Sequence, residues 1–386
     1  MSDIGCSVLM PVLNEEHHIR ASVNAMRRQR FDGALEFIVI DGGSSDGTRQ
    51  ILESLAAEDD RIVMLDNPRR IAASALNVGL GAARGRWIAR MDAHTEYRED
   101  YVALGVGRLE RGGTSWVSGP PIPRGTGRVS RAVALALRTP LGRGASRKWV
   151  AELSGEDGEY ELDAGVFAGV WERETLLWHG GWDEEWVVNQ DSEMAGRFLA
   201  QGERLICLMG MAAYYAPRNS LMQLWRQYLR YGEYRERTAV RHPHTMRRSH
   251  LLAPGVATTV LAGVLPVQWM RRMARYGLAT YACALAAAGT RALSDAEHEG
   301  DSALVPIVLA TMHLGHGFGF LRGAVRYGPP TAAIARVFGL KRLAAELTPA
   351  SRPVFAPSLG GHSGERSVLE GRTSRGSGES RRWSAR

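Results

Sequence analysis

From the N-terminus to Met91, apolar and polar positions switch repeatedly between two periods. Cys6–Leu13 is a continuous apolar run closed by Asn14 and two glutamates, the mark of a buried strand. Residues from His18 to Gln29 carry apolar positions at helical spacing, and L35-E36-F37-I38-V39-I40-D41 is a second buried-strand pattern ending on an acid. After the polar turn Gly42–Gly47, the chain reads Thr48–Ala57 helix, Ile62–Leu65 strand, Ala72–Arg84 helix and Trp87–Met91 strand. This alternation predicts an α/β fold with a mostly parallel sheet flanked by helices. Ligands on such sheets sit beyond the carboxyl ends of the strands. Asn14, Glu15, Asp41 and Asp92 all occupy that position, so one rim should carry a row of polar and acidic groups.

Between Ser115 and Pro217 the pattern is mixed. Strands are predicted near Trp116–Pro120, Val166–Trp171, Leu205–Met209 and Ala212–Tyr215, and an amphipathic helix after Asp191. Beyond Arg241 the character changes. Leu251–Met270 is an uncharged run of twenty residues, long enough for one bilayer crossing, and Tyr276–Gly289 and Ala303–Leu321 are also apolar. The expected organisation is a catalytic domain over 1–240, a membrane-associated helical region over 247–325 and a disordered basic tail over 350–386, rich in Gly, Ser, Arg and Glu. The basic stretch R271-R272-M273-A274-R275 belongs on the cytosolic side by the positive-inside rule. The first apolar segment is therefore expected to dip in and return. The other two would cross as a hairpin, with the acidic loop 294–301 outside; the alternative is a soluble helical subdomain for all three segments.

Composition narrows the partners. Formal net charge is +7, carried by arginine far more than lysine. Anionic lipid and phosphorylated substrates suit that balance, whereas no zinc-finger spacing, RNP-like strand or continuous basic helix points to nucleic acid. The three cysteines, Cys6, Cys207 and Cys283, are far apart and suggest neither a disulfide framework nor a metal site. The N-terminus lacks a basic n-region, so the N-terminal part is expected to stay in the cytosol. His242 and His244 sit in a basic stretch and read as solvated or membrane-facing. Trp182 and Trp186 flank polar neighbours and read equally as core or as a sugar platform.

The stretch M91-D92-A93-H94 follows a strand. On an extended segment, residues two apart point the same way, so Asp92 and His94 can share one divalent cation that in turn holds a diphosphate. The alternative is a turn or helix cap.

Taken in order, P11-V12-L13-N14-E15, V39-I40-D41-G42-G43-S44-S45-D46-G47-T48, N77 with A83-R84-G85, M91-D92-A93-H94, G180-G181-W182-D183-E184, N189-Q190-D191-S192-E193 and Q227-Y228-L229-R230-Y231 form a set. The set resembles the family 2 inverting glycosyltransferases of GT-A fold, and within them the ExoA-type enzymes of succinoglycan and exopolysaccharide assembly. The resemblance covers about 5–240. It implies that Pro11, Asn14, Glu15 and Asp41 hold the nucleotide base, with Asn77 on the nucleotide side. Asp46 would be a second acid near the nucleotide, or equally an Asx turn. Asp92 would meet the ribose and, with His94, a cation (Mn²⁺ or Mg²⁺) bridging the diphosphate. Asp191 would be the catalytic base, Arg230 a diphosphate ligand, and Trp182, Asp183 and Glu184 the acceptor region. The implied partners are a nucleotide-sugar donor, first of all a UDP-sugar, a lipid-linked saccharide acceptor, the cell membrane with the catalytic domain on its cytoplasmic side, and polysaccharide assembly proteins. Ser192 departs from the family pattern, which often has a further acid after the base, although Glu193 is retained. A nucleotidyltransferase would share the sheet and cation site but open on a glycine- and lysine-rich phosphate loop, absent here. An inactive assembly scaffold is the reading from a different class.

Overall fold

The computed structural model describes residues 4–144, 158–165, 168–298 and 300–347. The N-terminal apolar run forms β1 (Ile4–Val12), buried between β2 (Ala34–Asp41) and β4 (Trp87–Arg90), with β3 (Ile62–Asp66) beyond β2. These four strands are parallel, joined by helices α1 (Ile19–Arg27), α2 (Thr48–Glu58) and α3 (Ala72–Ala82). Side chains alternate across the sheet. Val8, Met10, Phe37 and Val39 therefore enter one core, shared with Ile19, Val23 and Leu52, while Leu9, Ile38 and Ile40 enter another with Leu76 and Leu80. Pro11 is tolerated in this central strand for a local reason. The Leu9 carbonyl accepts from Met91 N–H at 3.0 Å, and pairing with β4 stops there, so a missing N–H two residues later removes no ladder bond.

The other half of the sheet is mixed. The next elements are β5 (Thr95–Tyr97), α4 (Tyr101–Glu110), β6 (Trp116–Ser118), β7 (Pro121–Pro123), α5 (Arg128–Arg138) and α6 (Pro140–Arg143). They are followed by β8 (Glu159–Leu162), β9 (Gly169–Glu172), α7 (Arg173–Trp178), α8 (Gln190–Ala200), β10 (Leu205–Leu208) and β11 (Ala213–Tyr215). The large sheet runs β3-β2-β1-β4-β9-β6-β10-β8, with β9 antiparallel to β4 and β6 and β8 antiparallel to β10. The run Trp116–Pro120 does not stay one strand. It ends at Ser118, and β7 pairs instead with β11, which in turn pairs with β5, in a small separate sheet. Of the expected strand Val166–Trp171, residues 166–167 lie outside the described residues, as does the tail 350–386.

The long α9 (Leu221–Arg241) leads into α10 (Leu252–Val264), α11 (Gln268–Arg291), α12 (Asp301–Tyr327), α13 (Thr331–Val337) and α14 (Lys341–Leu347). Leu251–Met270 is not one continuous helix. A proline disfavours helical backbone at the residue before it; Leu265 is extended at ψ 148° and the helix stops before Pro266. The 13 residues of α10 span about 20 Å, short of a hydrocarbon core of about 30 Å. Among the described residues α12 alone is long and apolar enough to cross a membrane, and half of its apolar stretch is buried inside the protein.

The partner of α12 is α9. A Cβ on Gly319 would lie 2.0 Å from the Leu229 carbonyl oxygen, and one on Gly232 would lie 2.0 Å from that of His316. The two backbones touch, which only glycines allow. At its start, Asp301 accepts from Arg131 of α5 at 2.6 Å. This ion pair fastens the end of the acidic loop to a helix that packs against the small sheet's β7, so the hairpin with that loop on the far side of a bilayer is not the observed arrangement.

Candidate active site

The parallel half of the sheet delivers the expected rim. β1, β2 and β4 are neighbours, and Asn14–Glu15, Asp41 and Asp92 follow their carboxyl ends. Hydrogen bonds tie Asn14, Glu15 and Asp41 to the turn over residues 44–48. Ser44 Oγ donates to Asp41 Oδ1 at 2.7 Å and accepts from Asn14 N–H at 2.9 Å. Asn14, at φ 55°, accepts from Ser45 N–H at 2.8 Å. Thr48 Oγ1 donates to Asp46 at 2.5 Å and accepts from Glu15 N–H at 2.8 Å. Asp46 also accepts from Thr48 N–H at 3.1 Å. It thus forms an Asx turn opening α2, and the Thr48 hydroxyl holds its carboxyl below the usual range.

Asp92 and His94 come together, though not by strand alternation. Thr95 N–H donates to the Asp92 carbonyl at 3.2 Å, so D92-A93-H94 is a turn, pinned by buried Ala93. Asp92 is held in place from two sides. Its N–H donates to the Tyr97 hydroxyl at 2.9 Å, and its carboxylate takes a two-point pair from Arg90 at 2.8 and 3.0 Å. His94 Nδ1 donates to Glu15 Oε1 at 3.2 Å, and this bond raises the imidazole's pKa. The donor set fits a divalent cation. A carboxylate on Nδ1 leaves Nε2 as the ring's metal-binding atom, the usual outer-sphere arrangement for a ligating histidine. Among the described residues no group of three such side chains could hold a metal unaided, so a cation here would need oxygens from a ligand.

Asp92 and His94 line a cavity of about 540 Å³ together with Arg90, Arg218, Tyr231, Arg235 and Asp191. Asp191 lies in the first turn of α8. The cap position belongs to Asn189, in left-handed backbone at φ 59°, whose side chain donates to the Tyr231 carbonyl at 3.1 Å and so ties α8 to α9. A Cβ on Gly165 would sit 2.3 Å from the Asp191 carbonyl oxygen, a close approach that seats this turn in the cavity wall. Among the described residues the Asp191 carboxylate has no hydrogen-bond or ion-pair partner, unlike a cap. Glu193 plays the supporting part. It is fully buried, and although burial pushes its carboxyl up, the bond from His242 and the charge of Arg197 hold it below the ordinary value. His242 therefore braces α8, with His244 bonded to the Gly196 carbonyl, and neither faces solvent or lipid as expected.

Three other expectations meet a different geometry. Trp182 is 0% exposed and packs edge-on against Trp171, so it is core and offers no acceptor platform; Trp186 is buried as well. Asp183 pairs with Arg241 at 2.6 Å, and Glu184 with Arg69. Asn77 spends its amide on that same loop: Oδ1 accepts from Trp182 N–H, and Nδ2 donates to the Trp182 carbonyl and Glu184. It positions the 180–184 loop and leaves no group for a nucleotide. Arg230 is exposed and lines a smaller adjoining cavity of about 330 Å³. Arg218, which no sequence motif marks, lines both cavities.

Residues 7–155 match the family model Glycosyl transferase family 2. The succinoglycan biosynthesis protein ExoA of Rhizobium meliloti (strain 1021) is 30% identical over 321 residues, 82% of this chain and 93% of ExoA. The chain belongs to glycosyl transferase family 2. A mannosyltransferase from Pyrobaculum calidifontis, PcManGT, solved with GDP-Man and Mn2+, shares the fold at a TM-score of 0.51 and 21% identity, over 82% of this chain and 90% of its own. The Escherichia coli UDP-Glc:alpha-D-GlcNAc-diphosphoundecaprenol beta-1,3-glucosyltransferase WfgD is 32% identical over 120 residues, 31% of this chain and 46% of WfgD. This family 2 glycosyltransferase thus has a GT-A-like fold in which a mixed sheet carries the site at its carboxyl rim, with one apolar C-terminal helix that qualifies as a candidate span.

Proposed function

We propose that this glycosyltransferase moves a sugar, with inversion, from a nucleoside diphosphate sugar, UDP-linked in the first instance, to a saccharide carried on a lipid during surface-polysaccharide assembly. The observation that carries this reading is that Asp191, a carboxylate without a partner among the described residues, shares one cavity with the Asp92–His94 pair. Asp191 takes the proton of the acceptor hydroxyl as its oxygen bonds to the sugar's anomeric carbon. The bond to the donor diphosphate breaks on the opposite face, and the electron pair leaves with the diphosphate. Arg218, which lines both cavities, and Arg230, in the adjoining one, would pair with that leaving group, both always charged. A cation, Mn²⁺ or Mg²⁺, would be held by Asp92 and His94 and supplies further neutralisation of the diphosphate. Asp41, Asn14 and Pro11 lie outside the cavity, along the adjoining rim where a base would extend.

The names of ExoA and WfgD, which refer to succinoglycan and to a diphosphoundecaprenol-linked acceptor, support the acceptor class. Membrane attachment with the catalytic part on the cytoplasmic side is supported by α10 and α11. Val264 is 78% and Trp269 68% exposed, beside exposed Arg271, Arg272 and Arg275, a combination suited to anionic headgroups. Trp269→Glu should reduce flotation with vesicles containing phosphatidylglycerol; unchanged flotation would remove α11 from the contact.

The donor reading is tested by incubating the purified full chain and Mn²⁺ with UDP-, GDP- and dTDP-sugars and measuring nucleoside diphosphate release. Release from none overturns it. His94→Ala should reduce the metal enhancement of UDP binding several-fold, less than Asp92→Ala, because water can fill a vacated position on the cation. Equal enhancement in His94→Ala and wild type would exclude His94 as a ligand.

A further inference from the structure

The 540 Å³ cavity is also lined by basic side chains to which the reading above gives no task. Arg235 of α9, Arg247 and His250 of the segment after it, and His316 of α12 all line it. Arg235 is 9% exposed; its Nη2 donates to the Thr245 carbonyl at 2.5 Å, while its Nε is buried without a partner. His316 Nδ1 is likewise buried without a partner. Arg247 pairs with Asp163; burial first, and then the charge of Arg247, push the Arg235 guanidinium down to about 10, while Asp191 and Asp163 oppose them. Two guanidiniums brought together in a poorly solvated place repel each other unless an anion joins them. The walls include apolar Val133, Leu137 and Leu224; of the acids that bear on Arg235, Asp163 is already paired with Arg247 and Asp191 is the base.

The charge of Asp191 bears on Arg235 as well as on Arg90, beside Asp92. An acceptor that touches the base shares the cavity with Arg235. We propose that Arg235, Arg247 and His316 form a second anion subsite that takes an oxyanion carried by the acceptor. The oxyanion is either the phosphate linking the saccharide to its lipid or the carboxylate of an acidic sugar. This rests on the glycosyl-transfer reading above, with Asp191 as base. It also gives the apolar helix a task, since α12 brings His316 into the cavity wall.

The test uses the full chain with the donor side filled by UDP and Mg²⁺, followed by calorimetric titration with butyl diphosphate and, separately, methyl glucuronide. Wild type should bind one of the two: the first assigns the lipid phosphate, the second the sugar acid. Arg235→Gln and Arg247→Gln should each weaken that binding at least tenfold while UDP affinity stays within twofold, and Arg235→Lys should recover part of the loss. Arg247→Gln decides the matter should the buried Arg235→Gln fail to fold. Binding of neither probe by wild type, or unchanged affinity in Arg247→Gln, overturns the subsite. A parallel fall in UDP affinity reassigns the arginines to the donor and also overturns it. Failure of wild type to bind UDP would instead strike at the donor reading, before either probe is added.

Discussion

Asp191→Asn should abolish sugar transfer while UDP binding stays close to wild type. The amide has the size and shape of the carboxylate and keeps the first turn of α8, whose cap is Asn189 and whose brace is Glu193 with His242 and Arg197. What it lacks is a lone pair basic enough to take the acceptor's proton. Losses of a general base run from about a hundredfold to ten-thousandfold. The cation pair and the arginines are untouched, so the loss should fall on turnover and not on donor affinity. Rates of nucleoside diphosphate release with acceptor present, set beside UDP titrations, check both halves. A variant retaining a tenth of wild-type turnover would reduce Asp191 to a helix-start residue.

Asp92→Ala should lose donor binding and stability together, and the second loss should be separable. Arg90 and Asp92 side chains are 5% and 13% exposed and joined by two hydrogen bonds. Removing one partner leaves a buried charge alone, at a cost of about 3–5 kcal/mol, whereas replacing both by apolar side chains of similar volume is often neutral or stabilising. Arg90→Met with Asp92→Leu should therefore restore the urea midpoint lost in Asp92→Ala without restoring Mn²⁺-enhanced UDP binding. A double variant that recovers both would show that Asp92 serves Arg90 alone. One that recovers neither would mean that the pair stabilises more than its charges require.

Much of the site is legible along the chain because it is local. Asn14, Asp41 and Asp92 each follow a strand whose apolar run is unmistakable, and parallel strands in adjacent positions put their carboxyl ends on one rim. Asp191 follows from the amphipathic helix behind it. Even so, Asp92 and His94 reach one cavity by a route other than the one expected. Asp92 and His94 meet through a turn closed by Thr95 N–H, because β4 has already ended at Arg90. Asn77 and Trp182 misled for the opposite cause. A polar amide and an indole among acids look functional in one dimension, yet the amide saturates itself on the loop backbone and the indole fills a core of Trp116, Trp171 and Phe198.

Sequence by itself determined the order of strands and helices up to β4, the acids at their ends, the helix that bears Asp191 and the family. Each of these depends on residues within a few positions of one another, through side-chain period, turn chemistry and capping. Tertiary structure alone decided which charges share a space. Arg90, Arg218, Arg235, Arg247 and His316 come from separate elements, and compensation of charge depends on distance in space. It also decided the place of α12. An apolar helix has the same composition whether a bilayer or a protein core surrounds it, since both exclude water. What α12 packs against is set by glycines at Gly232 and Gly319 that let two backbones touch, a complementarity that neither helix carries in its own sequence.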